Sequence, residues 1–394
     1  RAEWRKITDL YEQSAESFGL PERRDDSVVI GTFNIRELGT VKKRSDEAWE
    51  LLSTITKRFD LMAVQEIQDK LEGFEYLAQL AGDDYGSVVS DVTGVKPGGS
   101  GNPERLGFLF NWRRVQRTAM ASDITFDRSE ITRNLYENRD DFSAAWSEHT
   151  ERLDAWEIKC EEKKAEGKKK PTKPGIRLPR FLSFIRQPHY VSFRIEGAAG
   201  TEPYEFLVVN AHLLYGQNKD EREWEFRALV EWMTIRAKKP DRLYHPNLLL
   251  LGDCNLDFDS DITVMRDDID LFMKGLNKTV LRSRKAAKVN FPILSEHPER
   301  GKLRTALRQE QTYDQIGIFA RDKRLPTPND NDTAGTVEGE FDYGVFNIGD
   351  LIAMALHNKP IAELTIKQQR AIFEKAEFDI SDHMPVWMRL KLPV

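Results

Sequence analysis

Short apolar runs recur along most of this chain, divided by turns or by longer polar stretches. They fall at residues 28–33, 61–64, 106–110, 206–209, 248–251, 316–319 and 386–390. Runs of four to six residues rich in Val, Leu, Ile and Phe read as buried strands. Ahead of them, Trp4, Ile7, Leu10 and Tyr11 recur at helical spacing until Gly19 and Pro21 stop the pattern, which predicts an amphipathic helix over residues 1–26. A second helix is predicted where Phe226, Leu229, Val230 and Met233 form one apolar stripe between charged faces.

Two stretches break the rhythm. Residues 127–176 are dense in charge, poor in aliphatics, and carry the run Lys168-Lys169-Lys170-Pro171 near their end. They read as an exposed helical excursion with a basic loop, either a solvated decoration or a contact for nucleic acid or a protein partner. Residues 321–378 begin with the turn-rich Pro326-Thr327-Pro328-Asn329-Asp330 and then become helical. The remainder of 27–394 reads as one catalytic domain with these two insertions.

Composition narrows the class. With 394 residues, 40% of them hydrophobic, the chain can bury a large core. Fifty-nine basic residues against sixty-five acidic ones leave a net charge of −6, so nucleic acid could be met only by a local basic groove. No apolar run reaches the roughly 18 residues that a membrane span needs. Cys160 and Cys254 cannot build a disulfide framework or a zinc site. The chain starts at Arg1, which implies a trimmed N-terminus and leaves secretion open.

The candidate chemistry lies where the runs stop. The early ones finish at Asn34, at Gln65-Glu66, at Asn210-Ala211-His212 and at Gly252-Asp253-Cys254-Asn255. The late ones are inverted, with Asp314 just before Ile316 and Asp382-His383 just before Val386. If the late strands run antiparallel to the early ones, a mixed sheet gathers all these groups at one edge, where α/β proteins build their sites. Oxygen donors without cysteine suit a hard cation, Mg²⁺, Mn²⁺ or Ca²⁺. Histidines beside carboxylates can transfer protons near neutral pH. Together they point to hydrolysis of a phosphate ester.

These residues resemble the endonuclease/exonuclease/phosphatase superfamily. The resemblance rests on Thr32-Phe33-Asn34-Ile35-Arg36, Val64-Gln65-Glu66, Asn210-Ala211-His212, Gly252-Asp253-Cys254-Asn255, Tyr313-Asp314-Gln315-Ile316 and Ser381-Asp382-His383-Met384-Pro385, in family order. Leu38-Gly39 after the first motif and Glu104-Arg105 before the Phe108 run bring it nearest to pancreatic-type deoxyribonucleases. It covers 28–126, 177–260, 311–320 and the last sixteen or so residues.

The resemblance implies a four-layer α/β sandwich, two packed mixed β-sheets flanked by helices. It also implies roles. Glu66, helped by Asn34 and Asp382, would hold the metal. Asp253 and Asn255 would position or activate water and contact the scissile phosphate. His212 oriented by Glu104, and His383 oriented by Asp314, would move protons, with Arg36 and Arg186 on the substrate.

Two groove-reading positions of those enzymes, a tyrosine and an arginine, are here Asn102 and Gln68, so little sequence preference is expected. Disulfides of the extracellular relatives cannot form, which favours an intracellular, bacterial setting. The expectation is therefore a Mg²⁺-dependent DNA endonuclease. The alternatives are a phosphatase or phospholipase-like hydrolase of a phosphoinositide, sphingomyelin or nucleotide, and a binding or toxin-type module.

Overall fold

The apolar runs become strands of two mixed sheets. The structure, a computed structural model, describes residues 2–94, 103–215, 219–238, 247–256 and 288–394. In chain order the strands are β1 (Ser27–Leu38), β2 (Leu61–Gln68), β3 (Tyr85–Val89), β4 (Glu104–Asn111), β5 (Gln116–Asp123), β6 (His189–Ile195), β7 (Tyr204–His212) and β8 (Leu248–Asp253). After them come β9 (Lys288–Asn290), the short ribbon β10 (Glu296–His297) and β11 (Gly301–Lys302), then β12 (Asp314–Ala320), β13 (Asp342–Val345) and β14 (Val386–Lys391). One sheet has the order β13-β14-β1-β2-β4-β3 and the other β5-β6-β7-β8-β12-β9.

The inversion read from the sequence holds. β1 and β2 are parallel, as are β7 and β8, whereas β14 runs antiparallel to β1 and β12 antiparallel to β8. Apolar side chains of both sheets fill the layer between them, and Phe193 of β6 meets Phe108 and Phe110 of β4 edge to face at 5.5 and 5.3 Å. A buried polar bridge crosses this layer. Asn210 on β7 donates to the Val64 and Gly107 carbonyls and accepts from Gln65 Nε2 at 2.6 Å, which fixes the sheets' mutual register.

Helices α1 (Ala2–Ser14), α2 (Asp46–Thr56) and α3 (Glu72–Ala81) belong to the first half of the chain. Trp4, Ile7 and Tyr11 of α1 are buried in the main core, and full burial of such side chains is worth about 2 kcal/mol each. Leu10 is only half-buried. A left-handed Gly19 closes the segment, and its carbonyl accepts from Trp387 Nε1 at 2.6 Å. The charged stretch forms α4 (Arg128–Glu137) and α5 (Arg139–Ala165), neither with a buried residue, so α5 projects for about 40 Å. Helix α6 (Lys219–Lys238) buries the predicted stripe of Phe226, Leu229, Val230 and Met233.

The stretch at 321–378 contributes more to the core than its turns and helices suggest. It supplies edge strand β13, and its helix α7 (Ile348–His357) buries Ile348, Leu351 and Ile352 in the main core; α8 (Ile366–Asp379) opens with a Thr365–Gln368 capping box. No helix among the described residues is long and apolar enough to cross a membrane.

Candidate active site

The polar strand ends meet in one open cleft of about 500 Å³. Two backbone devices aim them there. The β1–β2 pairing slips after Asn34 and Gln65, so Glu66 takes a left-handed φ of 59° while Gln65 stays inside. Left-handed non-glycine residues cost about 1 kcal/mol or more, and Glu37 and Asn255 adopt the same region beside the cleft. Between β7 and β8, a Cβ on Gly252 would lie 2.0 Å from the Ala211 carbonyl oxygen. Only glycine lets these strands close far enough to pair His212 with Asp253.

Asp253 is the centre. His212 Nε2 and His383 Nε2 each lie 3.6 Å from its Oδ2, which also accepts from Asn34 Nδ2 at 3.1 Å; Oδ1 accepts the Asn255 amide at 2.9 Å. Behind each imidazole stands a carboxylate, with His212 Nδ1 2.7 Å from Glu104 and His383 Nδ1 2.8 Å from Asp314. Register explains the second pairing, because Asp314 sits opposite Asp253 where β12 crosses β8. Ser381 ties the edge together by donating to the Asn34 carbonyl and accepting from the Arg36 and His383 amides.

Charges follow from this packing. Burial pushes both imidazoles down, but Glu104 outweighs it for His212, and Asp314 with Asp253 outweighs it more strongly for His383, so both basicities are raised. Burial likewise pushes the Asp253 carboxyl up, and the two imidazoles overcome that, leaving it below the ordinary carboxylate range. Asp314 and Glu66 rise, chiefly through burial. Five carboxylates (Glu66, Asp253, Glu310, Glu377 and Asp382) line the cleft against two guanidiniums, Arg186 and Arg308.

That imbalance fits a hard cation, and the acceptors are ready for one. Asn34 Oδ1 and Asp382 Oδ1 are buried without a partner, and Asn34 Nδ2 holds Glu66 at 3.2 Å. Buried unpaired acceptors are costly unless a ligand meets them. Asp253, Asp314 and His383 offer a second donor trio within 4.8 Å of one another. That trio includes an imidazole nitrogen, so the all-oxygen set of Asn34, Glu66 and Asp382 suits Mg²⁺ better.

The structure brings Asn34, Glu66, Glu104, Arg186, His212, Asp253, Asn255, Asp314, Asp382 and His383 to one place. Arg186 reaches it but is engaged, with Nε on Glu104 at 2.8 Å and Nη1 on the Leu213 carbonyl at 3.0 Å. Arg36 borders a neighbouring groove instead. Lys170 folds back over Trp156 of α5 at 4.4 Å, and the lysine run lines neither cavity. Gln68 pairs with Glu104 across β2 and β4, and Asn102 lies outside the described residues.

Sequence reading missed the helix face that holds the loops. Glu221, Arg222 and Glu225 of α6 bond the Leu178 amide, the Asn255 carbonyl, and both the Ile185 and Leu214 amides at 2.6 Å. Burial lifts the Glu225 carboxyl to about 7 against those two amides. The available signal was spacing, since Glu225 lies four residues before Leu229 on the buried stripe.

No family model and no curated protein matches the chain. Solved structures resemble its course over nearly the full length. A humanized D. rerio TDP2 is 12% identical over 93% of this chain and 99% of its own, at a TM-score of 0.46. An endonuclease/exonuclease/phosphatase family protein from Bacteroides thetaiotaomicron is 12% identical over 92% and 94%, at 0.45. The human Nocturnin catalytic domain is 11% identical over 94% and 96%, at 0.42. Likenesses this distant carry no argument about activity. The two-sheet α/β sandwich is visible in the chain's own strand order.

Proposed function

We propose that the protein is a divalent-metal-dependent phosphodiesterase of nucleic acid, a DNA endonuclease with little sequence preference. One observation carries the reading: two imidazoles, each backed on Nδ1 by a buried carboxylate, present Nε2 to the same Asp253 oxygen in an open cleft. Asp253, kept anionic by its neighbours, and Asn255 position the attacking water, and Asp253 takes its proton. His212 and His383, made more basic by Glu104 and Asp314, hold protons that can be delivered to the departing oxygen. Glu66, Asn34 and Asp382 would hold Mg²⁺, with Mn²⁺ or Ca²⁺ as the other hard cations. When bound, it offsets charge developing on the phosphoryl oxygens.

A phosphoinositide or nucleotide phosphatase would be expected to carry a compact basic pocket. Among the described residues the cleft carries two arginines, one of them engaged with Glu104, which favours the polymer. The test is a substrate panel of supercoiled plasmid, single-stranded DNA, RNA and phosphoinositides, each with Mg²⁺ or with EDTA. Metal-dependent cleavage of nucleic acid is expected. Hydrolysis confined to the phosphoinositides would replace this reading.

A further inference from the structure

The two arginines of the cleft differ in what they can reach. The Arg186 side chain is 12% exposed and closed in by Glu104 and backbone carbonyls. The Arg308 side chain is 49% exposed, and its guanidinium lies over the Phe373 ring at 5.4 Å, which holds the flat face in place. Its partner is Glu377 of α8, whose Oε1 receives Nη2 at 2.7 Å and Nε at 2.8 Å. The other oxygen of Glu377 faces Arg36 Nη1 at 4.0 Å. Glu377 lines both the reaction cleft and the neighbouring groove of about 380 Å³, which Arg36 borders. An arginine–glutamate–arginine bridge thus stands at the boundary of the two.

We propose that Arg308, with Arg36 beyond it, seats a phosphate flanking the scissile one, and that Glu377 is the internal carboxylate which that phosphate displaces. The inference rests on the polynucleotide reading and names how that polymer is held. A phosphate suits the planar guanidinium fork at least as well as a carboxylate and carries more charge. In the pairs it must break, the arginines are 49% and 42% exposed and Glu377 20%, so both guanidiniums remain in contact with solvent, where ion pairs hold weakly. Exposed aromatics stand on both sides, Tyr215 on the cleft and Phe378 on the next groove, and each offers a ring on which a base can stack. Glu377 also gives selectivity. A small monoester has no second phosphate to release the arginines, whereas a polymer does.

Three variants separate this from a merely structural ion pair. A fluorescein-labelled oligodeoxynucleotide is titrated with the full chain in EDTA, and anisotropy is read across a salt series. Arg308→Ala should weaken binding about 10-fold and make the salt slope shallower by about 0.7, the contribution of one single-strand phosphate. Glu377→Gln should tighten binding about 3-fold, because it removes a competitor worth up to about one surface ion pair. Arg308→Lys should fall between wild type and Ala. Opposite shifts cannot come from misfolding. Arg308→Ala binding like wild type, Glu377→Gln binding no tighter, or a wild type that does not bind overturns the inference. Failure of the parent reading shows separately, as absence of metal-dependent nicking by the wild type.

Discussion

The His383–Asp314 pair at the cleft and the His297–Asp342 pair beside β13 are both buried histidine–carboxylate clusters, and they differ in which ring nitrogens are left open. In the first, His383 gives Nδ1 to Asp314 and keeps Nε2 facing the cleft, 3.6 Å from Asp253. In the second, His297 Nδ1 accepts the Glu299 and Arg300 amides, and Nε2 meets Asp342 at 2.9 Å. Arg300 closes that second cluster with two bonds to the Asp342 carboxylate and a stack over Trp387 at 5.4 Å. The carboxylates respond in opposite directions. Burial lifts Asp314, whereas His297 and Arg300 overcome burial and hold Asp342 down at about 2. In the proposed mechanism the same residue types give chemistry when a ring nitrogen is left open to a cleft. They give fixation of β13 and the β10–β11 ribbon when both ring nitrogens and both carboxylate oxygens are engaged.

The sharpest way to break this contrast is to remove an open imidazole. His212→Ala or His383→Ala should lower turnover on the order of 100-fold to 10,000-fold because proton transfer is lost, with a lower thermal midpoint because each leaves a buried carboxylate without its imidazole. Steady-state rates beside circular dichroism melts check it, and a near-wild-type rate would place the chemistry elsewhere. A second pair of variants separates metal holding from proton transfer. Glu66→Gln should weaken Mg²⁺ affinity, measured by calorimetry, by roughly 10- to 100-fold. Asp314→Asn should leave that affinity near wild type and reduce turnover. The reverse pattern would move the metal to the Asp253–Asp314–His383 trio.

The closed cluster predicts a stability effect instead. Asp342 has a folded value below its unfolded one, so its contribution is full above about pH 4 and is lost as pH falls through about 2. Asp342→Asn should therefore destabilise the fold by about 2 kcal/mol at neutral pH and by little in strong acid, with turnover at low temperature retained. Urea melts at several pH values read this directly. Smallest of all should be the loss of α4 and α5. Replacing residues 128–172 with a short Gly/Ser linker should shift stability by only about 1 kcal/mol, because neither helix buries a residue and loop closure depends weakly on length. A molten product would show that these helices pack on the sandwich.

What could be read from sequence follows from the same physics. Strands buried on both faces appear as apolar runs, so the central strands and their polar termini stood out, and the inverted order of Asp314 and His383 disclosed the antiparallel pair. Edge strands did not. β3 and β5 are half exposed, and β5 alternates exposed with half-buried positions rather than forming a run. β1 was read as ending at Asn34 but continues to Leu38, since the bulge opposite Glu66 leaves no compositional mark. Arg308 and Glu377 were invisible for another reason. They lie 69 residues apart in segments without a motif, and only the packing of α8 beside the cleft brings them together.

The central claim is that Asp253, held between two imidazoles, drives hydrolysis of a phosphodiester in a polynucleotide. Closed circular DNA tests it most directly, because it offers internal diesters and no ends. The account predicts that wild-type protein nicks and then linearises the circle with Mg²⁺, spares it in EDTA, and that folded Asp253→Ala spares it under both conditions. A circle that survives wild type with Mg²⁺, or one that Asp253→Ala cuts at the wild-type rate, would contradict it.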